Sequence, residues 1–176
     1  MIGIFGSAFN PPTKGHLDAI VQALSVCDQV WLVPSISHAF LKKMLPFEDR
    51  LTMVDAFIAD IGDDRILRSD IERELWDGNE PVHTIDVLNG LQARHPDETL
   101  AFLCGPDNVM AFSRFERATD VLNGWHLISL PERTKIRSSD VRVARYFNDP
   151  IDHMVTPGVF EIISGKLLYA QQNDDL

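Results

Sequence analysis

Four stretches of this chain are apolar runs, and each ends at a turn or breaker residue. Ile2-Gly3-Ile4-Phe5 stops at Gly6 and Val30-Trp31-Leu32-Val33 at Pro34. Thr99-Leu100-Ala101-Phe102-Leu103-Cys104 stops at Gly105-Pro106, and Trp125-His126-Leu127-Ile128-Ser129-Leu130 at Pro131. A strand with one wet face would alternate apolar and polar residues. Continuous runs mark strands buried on both faces. Between them lie stretches of helical spacing. One carries Leu17, Ile20, Val21 and Leu24 on one face. Another opens on Glu48 and Asp49, which suit a helix dipole, and carries Leu51, Val54, Phe57 and Ile58. A third has Thr84 as expected N-cap before Ile85, Leu88 and Leu91. Arg65–Ser69 is a further short strand candidate, and Asp77–Pro81 is a loop by composition. Helices are also expected from Asp107, over Ser138–Phe147 and from Thr156. The alternation predicts an α/β fold: a doubly wound parallel sheet with helices on both faces and a C-terminal helical segment.

In such sheets ligands bind beyond the C-terminal strand ends, near the point where strand order reverses. The loops after Phe5, Val33 and Cys104 fall at that edge. So does Ile136–Arg142, if it follows the strand ending near Leu130.

The first of these loops carries the most chemistry. Gly6 breaks the strand, and Pro11 and Pro12 stiffen the connection by fixing φ and removing donors. A helix starts after Thr13, and a helix start offers unpaired N–H groups and a partial positive charge to an anion. Thr13, Lys14 and His16 stand where a phosphate would rest. Gly15, without a side chain, lets a ligand approach the backbone. A lone Thr and His at a helix start are ordinarily a cap and an exposed side chain; the strand, glycine turn and double proline before them favour a phosphate site.

Ile136-Arg137-Ser138-Ser139-Asp140-Val141-Arg142 is the second such signal. Ser138 and Ser139 are expected caps whose hydroxyls and neighbouring N–H groups suit phosphate oxygens. Arg142, one turn on, reaches the same anion with its planar fork. The alternative is a capped helix with a solvated arginine. Gly105-Pro106-Asp107 reads either as a strand stop with Asp107 as N-cap or as a turn whose carboxylate holds sugar hydroxyls.

The chain has 176 residues, enough for one well-packed domain over 1–176, with 45% hydrophobic residues. Its net charge of −10 argues against a general nucleic-acid binder. Cys27 and Cys104 lack metal-site spacing and read as buried thiols. The first strand follows Met1 at once and no apolar run approaches membrane-spanning length, so a cytoplasmic protein with no membrane partner is expected. The polar tail from Gln171 is expected to fray.

Gly6-Ser7-Ala8-Phe9-Asn10-Pro11-Pro12-Thr13-Lys14-Gly15-His16 resembles the opening of the nucleotidyltransferases with a (His/Thr)-x-Gly-His motif. Within them it is most similar to the nicotinate/nicotinamide mononucleotide adenylyltransferases. Ile136–Arg142 resembles that family's Ile-Ser-x-Thr/Ser-x-x-Arg segment, with Arg137 where Ser is common and Ser139 where Thr is common. The resemblance gives Arg137 no settled role, a further phosphate contact being one. It extends to Gly105-Pro106-Asp107, to the loop holding Pro34, His38, Lys42 and Lys43, to Phe47–Arg50, to Asp70–Leu75, to Thr84-Ile85-Asp86 and to Val155–Val159 with Leu167-Leu168-Tyr169. It therefore spans nearly the whole chain.

The resemblance implies a Rossmann-like nucleotidyltransferase that passes AMP from ATP to a pyridine mononucleotide and releases pyrophosphate. It implies catalytic roles for His16, Lys14, Thr13 and Arg142. ATP and its phosphates would meet Gly6, Ser7, Phe9, Gly15, Lys42, Gly105, Asp107, Ile136, Ser138 and Ser139. The mononucleotide would meet Thr84 and Phe115, the latter where many nicotinate-specific relatives stack a Trp; Phe115 reads equally as core. Mg²⁺ would be carried with ATP, with no protein metal site. The opening motif alone leaves open a sister enzyme acting on phosphopantetheine or, with CTP, on a phosphorylated alcohol. A nucleotide-binding regulator without turnover is the alternative of another class.

Overall fold

The computed structural model describes residues 1–37 and 44–171. The expectations for His38, Lys42, Lys43 and the last five residues of the tail lie outside the described residues.

Five strands form one sheet: β1 (Ile2–Ser7), β2 (Gln29–Pro34), β3 (Ile66–Arg68), β4 (Leu100–Cys104) and β5 (His126–Ser129). Their order is β3-β2-β1-β4-β5 and every pairing is parallel. The chain winds outward from β1 through β2 to β3, then crosses to β4 and β5 on the other side. Strand order therefore reverses between β1 and β4, and the crevice opens where Ser7 and Cys104 end their strands.

The continuous apolar runs serve two cores at once, because neighbouring side chains on a strand point to opposite faces. Phe5, Val30 and Leu32 pack into one core with Ile20, Met53, Val54, Phe57, Val141 and Val159. These come from α1 (Lys14–Ala23), α2 (Phe47–Ile61), α7 (Ser138–Tyr146) and α8 (Pro157–Gly165). Ile2, Ile4, Val33 and Phe102 pack into the other with Ile71, Leu88, Phe112 and Val121. That face holds α3 (Ile71–Leu75), α4 (Thr84–Arg94), α5 (Pro106–Ala111) and α6 (Ala118–Gly124). The expected α/β architecture with both faces covered is the one found. Both cysteines are free and buried, and burial pushes the Cys104 thiol up to about 12.

The differences are local. Val21 is 55% exposed, and Ala23 takes its expected place in the core. Thr84 is the first helical residue rather than the cap of α4. The cap is His83, whose N–H donates to Asp86 Oδ2 at 3.3 Å. Likewise Arg137, not Ser138 or Ser139, caps α7, with Asp140 accepting from its N–H at 2.8 Å. In both, an Asp three residues in accepts from the N–H of the cap residue itself, the half of a capping box that does not depend on a hydroxyl at the cap. Gly105 caps α5, so Asp107 sits inside its first turn. Short helices α3 and α6 had no periodic signal long enough to read.

Candidate active site

Thr13 is extended (φ −135°, ψ 167°) and caps α1, with Oγ1 accepting from the His16 N–H at 3.4 Å. The His16 ring folds back, and its Nδ1 accepts from the Thr13 N–H at 3.1 Å. This is a capping box with imidazole in the place usually held by Glu or Gln. The box assigns the tautomer. Nδ1 faces the Thr13 N–H and also lies 3.0 Å from Thr13 Oγ1; with Nδ1 accepting from that N–H, a neutral ring carries its proton on Nε2. Nε2 lies 3.2 Å from Ser7 Oγ. Phe5 and Phe9 flank the ring, with centroids at 6.0 and 5.0 Å. Burial pushes the His16 pKa down to about 4. At neutral pH the ring is an uncharged donor through Nε2.

Four contacts tie the loop before α1 to the C-terminal half. Thr13 Oγ1 donates to the Ile136 carbonyl at 2.9 Å, and Ser138 Oγ to the Pro11 carbonyl at 2.7 Å. Arg142 Nη1 donates to the Asn10 carbonyl at 2.8 Å, and the Tyr169 hydroxyl to Asn10 Oδ1 at 2.7 Å. Gly15 belongs to the same junction. A Cβ there would stand 2.3 Å from the Ile136 oxygen. The side that a Cβ would take at Gly15 is thus filled by the chain's own carbonyl, while Gly15 also lines a cavity here.

At this edge two cavities adjoin. The first, ≈ 270 Å³, is lined by Gly6, Ser7, Thr13, Gly15 and His16 from the first loop, by Gly105 and Asp107 after β4, and by Ile136 and Ser138 before and within α7. The second, ≈ 180 Å³, is lined by Thr84 and Phe115 with Ser35, Glu72 and Phe102. Gly6 and Asn108 line both. A Cβ on Gly6 would meet nothing within 4 Å, so its missing side chain leaves open space where the cavities meet. Phe115 is half-buried and stacks on Phe112 at 5.0 Å, and it also lines the second cavity; it is core and wall together.

Several expected site residues lie elsewhere. Phe9 is wholly buried, with φ 45°, a left-handed conformation that costs about 1–3 kcal/mol in a non-glycine residue. Its side chain packs on the His16 ring and is not in either cavity lining. Lys14 Nζ donates to the Asp152 carbonyl at 3.3 Å, away from the first cavity. Arg142 holds the Asn10 carbonyl and is not in either lining. Ser139 is exposed and also outside both linings. The Ser138 hydroxyl proton is committed to Pro11, so a phosphate there would meet the free N–H groups of α7. Lys42 lies outside the described residues.

Two buried charges carry structural weight that the sequence reading did not assign. Arg50 is 1% exposed and donates to the carbonyls of Leu45 (3.0 Å), Ala8 (2.8 Å) and Ser35 (2.7 Å). It thereby joins the loops after β1 and β2. The signal was present: Arg50 precedes Val54 and Phe57 at helical spacing, on the buried face of α2. Glu72, 6% exposed, accepts from the Ile36 N–H at 2.9 Å. Burial pushes its pKa up to about 7, against the Ile36 N–H, the charge of Arg50 and the Ser35 hydroxyl. Nothing in the local pattern of α3 marked it.

Residues 4–144 match the family model described as cytidylyltransferase-like. A protein of Myxococcus xanthus named a probable nicotinate-nucleotide adenylyltransferase is 41% identical over 108 residues, which make up 60% of this chain and 55% of that one. A protein of Shouchella clausii with the same name is 30% identical over 195 residues, covering 98% of each chain. A crystal structure from Vibrio parahaemolyticus, of a protein provisionally named a nicotinate-nucleotide adenylyltransferase, is similar with a TM-score of 0.81 and 39% identity. That match covers 93% of this chain and 97% of the other.

Proposed function

The chain belongs to the cytidylyltransferase-like family, and we infer from its site that it is a nucleotidyltransferase of pyridine mononucleotides, acting as one domain over residues 1–176. It transfers AMP from ATP to nicotinate or nicotinamide mononucleotide and releases pyrophosphate, a step of NAD biosynthesis. The names of the relatives favour nicotinate mononucleotide as acceptor. The observation that carries the reading is the pair of cavities meeting at Gly6 and Asn108, with His16 in the wall of the first and Thr84 and Phe115 in the second. One holds ATP, the other the acceptor, and the acceptor phosphate meets the α-phosphorus where they join.

The acceptor phosphate is already a nucleophile, so no covalent enzyme intermediate is needed. Its oxygen forms a bond to the α-phosphorus as the bond to the β-phosphate bridging oxygen breaks, and pyrophosphate leaves with the electron pair. Catalysis then rests on alignment and on stabilising charge in the transition state. His16 donates through Nε2 to a phosphate oxygen, exchanging its contact with Ser7. The N-terminus of α7 offers N–H groups to the same triphosphate. Thr13 holds the His16 ring, and Arg142 and Ser138 hold the loop that presents it. Asp107 faces the ribose hydroxyls.

Among the described residues no group of three or more His, Cys, Asp or Glu side chains could cage a metal ion. A Mg²⁺ would arrive on the ATP phosphates with water, where it would supply neutralising charge. Among the described residues no helix is long and apolar enough to cross a membrane; a cytoplasmic enzyme fits this reading.

The test is pyrophosphate release by the purified chain, with ATP or CTP and a panel of acceptors. Turnover with ATP and a pyridine mononucleotide is expected. Turnover only with phosphopantetheine or a phosphorylated alcohol, or binding without turnover, would overturn the reading.

A further inference from the structure

Among the described residues, the first cavity is poor in positive charge for a site that takes a triphosphate. Asp18, Asp107 and Glu132 line it, His16 is neutral there, and Lys14 and Arg142 are turned to backbone carbonyls outside it. Among the described residues of its lining, Arg137 carries the one permanent cation.

Arg137 caps α7, and its side chain runs back across the strand-end edge. Its Nη1 lies 2.9 Å from Asp107 Oδ2, on the first turn of α5 after β4. Its Nε and Nη2 grip Glu132, after β5, at 2.8 and 3.0 Å. The guanidinium thus spans two walls of the cavity and is shared between two carboxylates. Asp107 holds it loosely: the side chains of Arg137 and Asp107 are 50% and 74% exposed, and exposed pairs of this kind add little, whereas the two-pronged bond to Glu132, 28% exposed, is the firmer of the two. A triphosphate carries more charge than either carboxylate and presents several oxygens to the same planar fork.

We propose that Arg137 is a triphosphate-binding residue of this enzyme, which gives up Asp107 for the ATP phosphates while Glu132 keeps its fork oriented across the first cavity. The exchange has a second effect. Asp107, once released, is free to accept from the ribose hydroxyls, so one event readies both ends of the nucleotide. The proposal rests on the ATP-dependent reading of the site.

The experiment is calorimetric binding of ATP to the full chain and to R137A, R137K and E132Q, with steady-state KM values for ATP and for the mononucleotide alongside. R137A is expected to weaken ATP by roughly 10- to 100-fold, the loss of a charge-assisted contact, with the mononucleotide KM little changed. R137K, a point charge without the fork, is expected between R137A and wild type. E132Q keeps an oxygen that orients the fork while removing the carboxylate's competing charge, and is expected to tighten ATP by about two- to fivefold. An ATP affinity unmoved in R137A overturns the proposal. So does a loss of ATP affinity in both R137A and E132Q with matching falls in Tm, which would make the clasp a structural brace. Wild-type pyrophosphate release is measured first. Its absence counts against the functional reading itself, whereas wild-type turnover with an indifferent R137A counts only against the role of Arg137.

Discussion

The hydroxyl of Thr13 donates to the carbonyl of Ile136 at 2.9 Å, across a sequence separation of 123 residues. This bond joins the helix that carries His16 to the segment that enters α7, and it leaves both beside the same cavity. Three of the four contacts at the junction end on backbone carbonyls, and the ion pair between Arg133 and Asp18 at 2.8 Å joins the same helix to the same segment.

Gly15→Ala tests that junction. Its methyl would sit 2.3 Å from the Ile136 oxygen, against backbone that has no rotamer to change. The substitution is expected to cost about 1–3 kcal/mol of stability and most of the turnover, since the shift moves α1 against α7. Urea unfolding and pyrophosphate release measure the two effects, and a variant with wild-type values on both would show the contact to be slack.

His16→Ala should keep the fold and lose turnover by about 10²–10³. A pH effect accompanies it. The folded ring has a pKa of about 4, below the ordinary 6.5 of an unfolded chain. Between these values the unfolded state binds more protons, so the stability due to a neutral His16 is complete above pH 6.5 and is lost as pH falls toward 4. Thermal melts from pH 4 to 7 should therefore be flatter for the variant than for the wild type.

Arg142→Ala removes the bond to the Asn10 carbonyl. Because Arg142 acts on the loop and lies outside the cavity lining, kcat should fall together with a rise in the ATP KM, by about tenfold each for a lost charge-assisted bond. Single-turnover assays across ATP concentrations would separate the two. A pure KM effect would instead place the guanidinium on the nucleotide.

Glu72→Gln should raise stability at alkaline pH. The folded carboxyl titrates at about 7, above its ordinary 4.5, because burial penalises the charge. From pH 4.5 to 7 the folded state holds the extra proton, so stability falls through this window as pH rises. The amide keeps an acceptor for the Ile36 N–H without the charge, and a gain of roughly 1–3 kcal/mol is expected at pH 8. Denaturant unfolding of both proteins at pH 5 and pH 8 is the check, and a gain equal at both would rule out ionisation as its source.

Phe115→Ala should raise the mononucleotide KM and leave ATP binding in place, because Phe115 lines the second cavity and not the first. Loss of a stacking face of this kind is worth about 0.5–1.5 kcal/mol beyond its area, or roughly two- to tenfold in KM. Equal losses for ATP and acceptor would point to the stack on Phe112 as its main work.

Much of this molecule was legible one residue at a time. The runs Ile2–Phe5, Val30–Val33 and Leu100–Cys104 specify strands wet on neither face, since each supplies alternate side chains to two cores. Thr13 and His16 mark the helix start, because capping is decided by neighbours only a few bonds away, whereas β1 runs on through Gly6, expected to break it, to Ser7 because β2 pairs with it there. What the sequence could not decide by itself was which side chains face the cavity. Lys14, Ser139 and Arg142 have the chemistry for phosphate and lie outside its lining, while Asp107 meets Arg137 and Glu132 there from a segment distant in sequence. At Gly15 the fold sets the Ile136 carbonyl against the side that a Cβ would take, a contact that only the tertiary structure shows. Strand and helix identity follow from periodicity along the chain. The direction of a long polar side chain follows from partners brought close by strand order, and that order places β1 beside β4, 93 residues after Ser7 has ended its strand at the start of β4's Leu100.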